Sequence, residues 1–227
     1  IVLFCLIFGL EHTMIKLSIG THKAMPGLLL LTSLFLTPAA QAGGSDPQNI
    51  AINEVYYLGN VGEDWVELIN RGAEPVDITG WLWCARFSYP SISAADILSG
   101  NPDLTLDPGE IIALSISIDL NDTSSDLGLY TQSPFGTAAN MVDFVQWGTP
   151  VDVGRSDVAR DKNIWLELSA EVYDYFPTAT NDQTLSWCGV ESGGGFLTTS
   201  LDFGNADATL GLANTVQCDL IYADDFE

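Results

Sequence analysis

The sequence predicts an all-β fold, and three observations lead to this prediction. Short runs in which apolar and polar residues alternate recur from residue 49 onward, as expected for half-buried strands. Glycine, proline, asparagine and aspartate separate the runs at intervals typical of a β-sandwich. No stretch keeps an apolar period of 3.6 residues for more than a few turns, which disfavours a mainly helical fold.

The clearest strands lie in the first half of the predicted domain. They are expected within residues 49–56, 65–70, 76–84, 104–106 and 111–116. The last two form a predicted hairpin around Asp107-Pro108-Gly109-Glu110, where proline fixes φ and glycine accepts a positive φ. Alternation places Trp81 and Trp83 on one strand face, so we expect both in the core between two sheets. A sugar-stacking platform stays open as the alternative.

Later strands are expected at residues 127–130, 141–147, 164–168 and 184–188. A short helix is predicted around residues 94–98. Residues 154–162 mix basic and acidic side chains, which favours a surface loop with local ion pairs. The run Gly193-Gly194-Gly195 is typical of a flexible turn.

Residues 1–42 are predicted to be upstream sequence followed by a secretory signal peptide. Met14 is the expected start, followed by basic residues, an apolar run over residues 28–36 and small residues at Ala40 and Ala42. The apolar run is shorter than the roughly 20 residues that span a bilayer, so cleavage after Ala42 is expected rather than anchoring. The mature chain would then have no transmembrane segment and be exported: secreted, periplasmic or on the cell surface. It divides into a polar lead (43–48), one sandwich domain (49–218) and an acidic tail (219–227).

The acidic composition argues against nucleic acid as a partner. The chain has 30 Asp and Glu against 7 Lys and Arg, a net charge of −23. Nucleic-acid affinity comes largely from cations that replace counterions, and this surface repels phosphate and anionic lipid. Solubility in a salty exterior is the favoured explanation for the charge. Attraction of divalent cations or basic partners stays open.

Few residue types remain for catalysis in the predicted mature chain. Both histidines, His12 and His22, lie in residues 1–42, which excludes nucleophiles activated by histidine and histidine-rich zinc sites. Lys162 is the single lysine beyond residue 42, and it lies in a charged stretch. Carboxylate chemistry is what remains, and two of the three residues Glu54, Asp64 and Glu67 could form the acid pair of a glycosidase. We favour the interpretation that Glu67 accepts backbone or hydroxyl hydrogen bonds, so no catalytic residue is assigned.

No cofactor is predicted. Residues 119–126 begin like a calcium loop, with oxygen-bearing side chains at alternate positions. An EF-hand needs glycine at the sixth position and glutamate at the twelfth, where this chain has Ser124 and Tyr130. This excludes an EF-hand. A weak calcium site of another kind and a solvated loop both stay open.

Three cysteines beyond residue 42 suggest one disulfide and one spare thiol in an oxidising compartment. Cys188 and Cys218 are the predicted pair, because both lie late in the chain and would fasten its C-terminal segment. Cys84, beside Trp83, is then the spare apolar group.

Five motifs in order resemble the lamin tail domain family in its bacterial, exported form. They are residues 50–55 (IAINEV), 64–70 (DWVELIN), 76–83 (VDITGWLW), 106–110 (LDPGE) and 142–148 (VDFVQWG). The resemblance covers residues 49 to 214. The family's closing threonine-proline-glycine turn corresponds to residues 209–214 (TLGLAN), which lack the proline.

The resemblance implies an immunoglobulin-like β-sandwich and a role in attachment. We therefore predict a non-catalytic binding or adhesion module for a protein or envelope component. A structural protein of the envelope or matrix is the alternative, and a carboxylate-dependent hydrolase is a third. Candidate surface contacts are Tyr56, Tyr57, Phe87 and Tyr89, because they are expected at strand ends or in loops, although burial is the favoured reading of each.

Overall fold

The computed structural model of the chain describes residues 46–60, 62–148, 154–165, 167–169, 172–173, 178–179, 183–188 and 203–215. They belong to one compact unit, Gln41–Glu227. Antiparallel strands dominate it, so the predicted all-β class is confirmed. The strands are β1 (Ile50–Tyr56), β2 (Trp65–Asn70), β3 (Val76–Asp77), β4 (Leu82–Cys84), β5 (Ile97–Ser99), β6 (Thr105–Leu106), β7 (Ile111–Ser115), β8 (Ser125–Tyr130), β9 (Met141–Trp147), β10 (Glu167–Ser169), β11 (Val172–Tyr173), β12 (Gln183–Trp187) and β13 (Phe203–Asp207). Short helices are α1 (Ser156–Asp161) and 3-10 turns at Pro47–Asn49, Ala94–Asp96 and Ala138–Asn140.

Six strands form the large sheet, in the order β13-β12-β1-β2-β7-β5. A second sheet has the order β4-β8-β9, and two ribbons pair β3 with β6 and β10 with β11. Apolar residues of both larger sheets share one buried cluster, which includes Ile52 and Leu68 from the first and Leu129 and Phe144 from the second. The core therefore lies between the two sheets.

Trp81 and Trp83 belong to this core. Trp81 is 7% exposed and Trp83 is 2% exposed, and Leu82 between them is only half-buried. Alternation of this kind is expected for a strand with one buried face, and it extends only over residues 81–83, because Cys84 and Ala85 are also buried. The predicted burial of both tryptophans is confirmed.

A buried aspartate joins the two sheets. Asp143 on β9 accepts a hydrogen bond from Ile52 N on β1 at 2.7 Å and one from Phe144 N at 2.8 Å. Burial of the Asp143 carboxylate is tolerated because two backbone N–H groups donate hydrogen bonds to it. This contact lies within the motif of residues 142–148.

Local structure departs from the sequence predictions in several segments, and β11 is one strand that was not predicted. Residues 94–96 form a 3-10 turn and residues 97–99 a strand, where one helix was expected. Residues 156–161 form α1 rather than a loop, with the expected local ion pair between Arg160 and Asp161 at 2.8 Å. The strand expected at residues 164–168 is displaced to β10, and β13 was not predicted. Within the described residues, no helix combines the length and apolar character needed to cross a bilayer.

Candidate functional site

Two buried glutamates lie side by side in the large sheet. Glu54 on β1 is paired across the strands with Glu67 on β2. Both side chains are fully buried. Like charges directly opposite each other destabilise a sheet unless other groups compensate them, so their partners decide what the pair does.

A β-bulge gives this site its geometry. The pairing of β1 with β2 shifts register between Ile52 and Glu54, which leaves Asn53 as an extra residue. Strict alternation would send Asn53 and Glu54 to opposite faces, and a bulge re-aims a side chain. Here the Asn53 amide reaches Glu67 and donates to Oε2 at 2.9 Å.

Glu54 accepts hydrogen bonds from two elements that come late in the chain. The hydroxyls of Thr184 and Ser186 on β12 donate to Oε1. The backbone N of Thr209 reaches Oε1 at 3.2 Å, and the Thr209 hydroxyl donates to Oε2 at 2.8 Å. Several donors to one carboxylate offset the cost of burying its charge.

Glu67 holds the same late segment. Its Oε1 accepts a hydrogen bond from Gly211 N. Burial raises the pKa of the Glu67 carboxyl to about 7; the bonds from Gly211 and Asn53 oppose the shift, and the nearby Glu54 charge adds to it. Glu67 therefore accepts backbone and amide hydrogen bonds, as expected from the sequence.

We define residues 208–214 as the closing segment, because they lie over these two glutamates. Asn214 fixes its end: the Asn214 side-chain amide donates to Asn53 O at 2.8 Å and to Trp187 O at 2.9 Å. Gly211 has φ +75°, and a Cβ at this position would lie 2.2 Å from the Ser99 hydroxyl oxygen. Only glycine fits there, both by conformation and by space.

A small pocket opens beside the closing segment. Its volume is about 170 Å³, and it is lined by Asn53, Ile69, Ile111, Trp187, Cys188, Ala213 and Asn214. Neither Glu54 nor Glu67 is in this lining. In this arrangement the two carboxylates are acceptors that attach the closing segment to the sheet.

The stability of the fold should depend on pH through Glu67. A carboxyl whose pKa rises from 4.5 to about 7 on folding stabilises the fold below pH 4.5, and this contribution is lost as pH rises through about 7. The Glu67→Gln variant replaces this carboxyl group with an amide, which does not titrate in this pH range. From about pH 5 to 8, its stability relative to wild type should rise by roughly 2 kcal/mol, measured by urea unfolding.

A matched control is Glu74→Gln, which changes an exposed glutamate. This control measures how much stability changes when an exposed glutamate is replaced by glutamine. If the difference in free energy of unfolding between Glu67→Gln and wild type did not change with pH, the raised pKa of Glu67 would be contradicted.

Asp64, the third candidate carboxylate, is buried and joins two loops. Its carboxylate accepts Leu120 N at 2.7 Å and Gly59 N at 3.2 Å. Burial raises its pKa to about 6, against the effect of these two bonds. Asp64 thus has a structural task in the motif of residues 64–70.

In the calcium-loop candidate, residues 119–126, the side chains of Asn121 and Asp126 accept hydrogen bonds from backbone N–H groups. Asn121 Oδ1 accepts from Thr123 N and Ser124 N, both at 3.0 Å. Asp126 is fully buried and accepts from Arg86 N and Arg155 N. Among the described residues, no group of three or more His, Cys, Asp or Glu side chains is arranged to hold a metal ion.

The four predicted surface contacts separate into two pairs. Phe87 is 57% exposed and Tyr89 is 37% exposed. Tyr56 is half-buried, with its ring stacked on Trp65 at 5.7 Å. Tyr57 is not a surface contact: it is fully buried, as the favoured interpretation expects, stacks on Trp147 at 4.5 Å and accepts a hydrogen bond from Ala179 N.

The cysteines differ in state. Cys84 is a free, buried thiol, and burial raises its pKa to about 11. Cys188 is disulfide-bonded. Its predicted partner, Cys218, lies outside the described residues, so the pairing stays a prediction.

Sequence patterns assign no role in the site to several of the residues that build it. They are Asn53, Thr184, Ser186, Thr209 and Asn214, together with Asp126 and Arg155 near Phe87. A signal for two of them was present, because residues 209–214 correspond to the closing turn of the family that the chain resembles. No local pattern indicates the partners of that turn.

Two features of the structure bear on function: the closing segment, and the exposed aromatic residues Phe87 and Tyr89. Comparison of the chain with known protein families, curated proteins and solved structures finds no match to any of them. The resemblance to lamin tail domains therefore stays a prediction from five motifs.

Proposed function

We propose that the chain is an exported, immunoglobulin-like β-sandwich of the lamin-tail type that acts as a binding or adhesion module for a protein or envelope component. Two antiparallel sheets with a shared core support the sandwich. The five ordered motifs support the lamin-tail type. Attachment is the role that this resemblance implies, and it is an argument by analogy.

The observation that carries the proposal is that the candidate acidic side chains are buried, whereas two aromatic side chains are exposed. Three acids could transfer protons: Glu54, Asp64 and Glu67. All three are buried and accept hydrogen bonds from backbone N–H groups of distant segments. Phe87 and Tyr89, in contrast, leave large parts of their rings in water. Aromatic side chains that are exposed on a rigid sandwich provide contact area for a partner.

A binding assay with intact producing cells tests the proposal. The purified protein, labelled and beginning at residue 43, should be retained by the cells and saturate. An unrelated protein of similar negative charge is the control for non-specific adsorption. Lack of saturable retention would refute the binding role.

A parallel screen tests the catalytic alternative. The same preparation is incubated with glycosides, esters, phosphodiesters and peptides, and no turnover is expected. Turnover that Glu67→Gln removes from a protein that still folds would establish the hydrolase instead.

A further inference from the structure

An exposed phenylalanine lies in a turn whose backbone disfavours it. Ala85 N donates to Ser88 O at 3.2 Å and Ser88 N donates to Ala85 O at 2.9 Å, so Arg86 and Phe87 form a two-residue hairpin turn. Their φ values are +44° and +67°. Such turns normally take asparagine and glycine, because a Cβ is strained at positive φ. Unfavourable backbone conformations persist mainly where function requires them.

Two adjacent non-glycine residues at positive φ are unusual among the described residues. Among the described residues, glycine occupies seven positive-φ positions, and the non-glycine ones are Arg86, Phe87, Leu104 and Asn163. Leu104 is buried in the core, whereas asparagine tolerates this conformation. The turn is thus where strain coincides with an exposed aromatic ring.

The buried carboxylate of Asp126 binds the turn through a hydrogen bond. Asp126 Oδ1 accepts Arg86 N at 3.1 Å, and Oδ2 accepts Arg155 N at 2.7 Å. Asp126 is fully buried, and Gly154 approaches it so closely that a Cβ there would lie 1.8 Å from Oδ2. The carboxylate thereby fixes the turn against the segment that leads into α1.

Stacked side chains hold the exposed rings. The Arg155 guanidinium lies 4.9 Å from the centre of the Phe87 ring and donates to the Tyr89 hydroxyl at 2.8 Å. Tyr89 in turn stacks on Phe135 at 3.9 Å. Rings that are already ordered lose little entropy when a partner covers them.

Charge indicates the chemistry of that partner. The chain has a net charge of −23, but the turn presents the exposed Arg86 next to Phe87 and Arg155. Arginine and aromatic residues are enriched at the energetic centres of interfaces. We infer that the turn of residues 85–89 is a contact site for a protein partner that has an apolar recess with carboxylates at its rim.

Geometry favours a protein over a polysaccharide. Each of the two exposed rings keeps at most one open face for a stacked sugar, because Arg155 covers one face of Phe87 and Phe135 covers one face of Tyr89. A hairpin turn that carries an exposed ring fits a concave surface, which folded proteins provide. The inference rests on the proposed binding function and specifies its surface.

A photocrosslinking experiment tests the site in the full-length protein. Ser88→p-benzoylphenylalanine places the crosslinker on the turn and leaves Arg86 and Phe87 intact. Leu212→p-benzoylphenylalanine, on the exposed closing segment, is the matched control. With intact producing cells as the probe, Ser88 should yield a defined protein adduct that the control lacks, and mass spectrometry then identifies the crosslinked protein.

Affinity measurements with that identified protein separate binding from folding. Phe87→Gly suits the positive φ and removes the ring, so the unfolding midpoint should be unchanged or raised. The dissociation constant should rise at least about tenfold for Phe87→Gly and for Arg86→Glu. Leu212→Ala should change it by less than about twofold.

Several results would overturn the inference. They are the absence of a Ser88 adduct, an adduct that is carbohydrate, and an affinity that Phe87→Gly leaves within about twofold of wild type. Saturable retention of both wild type and Phe87→Gly on cells would refute this surface while the binding function stands. Lack of retention of the wild type would refute the binding function itself.

Discussion

Trp81→Ala is expected to destabilise the fold by about 3–5 kcal/mol, because it removes a large buried side chain and leaves a cavity. Trp81 is 7% exposed and belongs to the cluster between the two sheets. The neighbouring Trp83 and Ile78 are also in this cluster and cannot fill the volume without shifting the strands. Urea unfolding of the variant and wild type measures the effect.

Phe87→Gly serves as the control for loss of an aromatic ring, because Phe87 is 57% exposed. Its stability should stay close to that of wild type. A Trp81→Ala variant that kept full stability and lost only binding would show that Trp81 is a ligand platform, which is the alternative considered from the sequence.

The second large effect is expected at Asn214. Asn214→Ala should cost about 3 kcal/mol, because it removes several side-chain hydrogen bonds at once, and a well-formed one contributes roughly 1 kcal/mol. The amide donates to Asn53 O, Asn53 Oδ1 and Trp187 O, and Asn53 is almost fully buried. The loss should also release the closing segment, which hydrogen exchange at Gly211 N would detect as faster exchange.

Two further variants separate the hydrogen bonds from other effects. Asn214→Asp keeps the side-chain volume but removes the donor, so it should destabilise at least as much as Asn214→Ala. Asn60→Ala changes an exposed asparagine and should alter stability by less than about 0.5 kcal/mol. Equal stabilities for Asn214→Ala and Asn60→Ala would contradict the role of Asn214.

The two predictions depend on information of different kinds. The burial of Trp81 follows from a local pattern, since a strand with one buried face alternates its side chains. Asn214 gives no such signal. Its partner Asn53 is 161 residues away in the chain, and Asn53 faces it because a bulge interrupts the alternation of β1.

The surface residues show the same limit. Tyr56 and Tyr57 are neighbours at the end of β1, and the sequence does not distinguish their environments. Stacking on Trp147 and the bond from Ala179 N bury Tyr57. Phe87 and Tyr89 stay exposed because they lie in and beside a turn that Asp126 fixes from another strand.

By itself the sequence determined the all-β class and the position of several strands, with β9 at the predicted residues 141–147. Alternation and turn residues act over a few neighbours, so they can be read locally. Tertiary structure alone decided β13, whose residues Phe203–Asp207 include glycine, asparagine and aspartate and become a strand by pairing with β12. It also decided which groups donate to Glu54 and Glu67, since the donors Thr209 and Gly211 lie 155 and 144 residues away. A carboxylate motif looks the same for catalysis and for structure until the fold brings its partners to it.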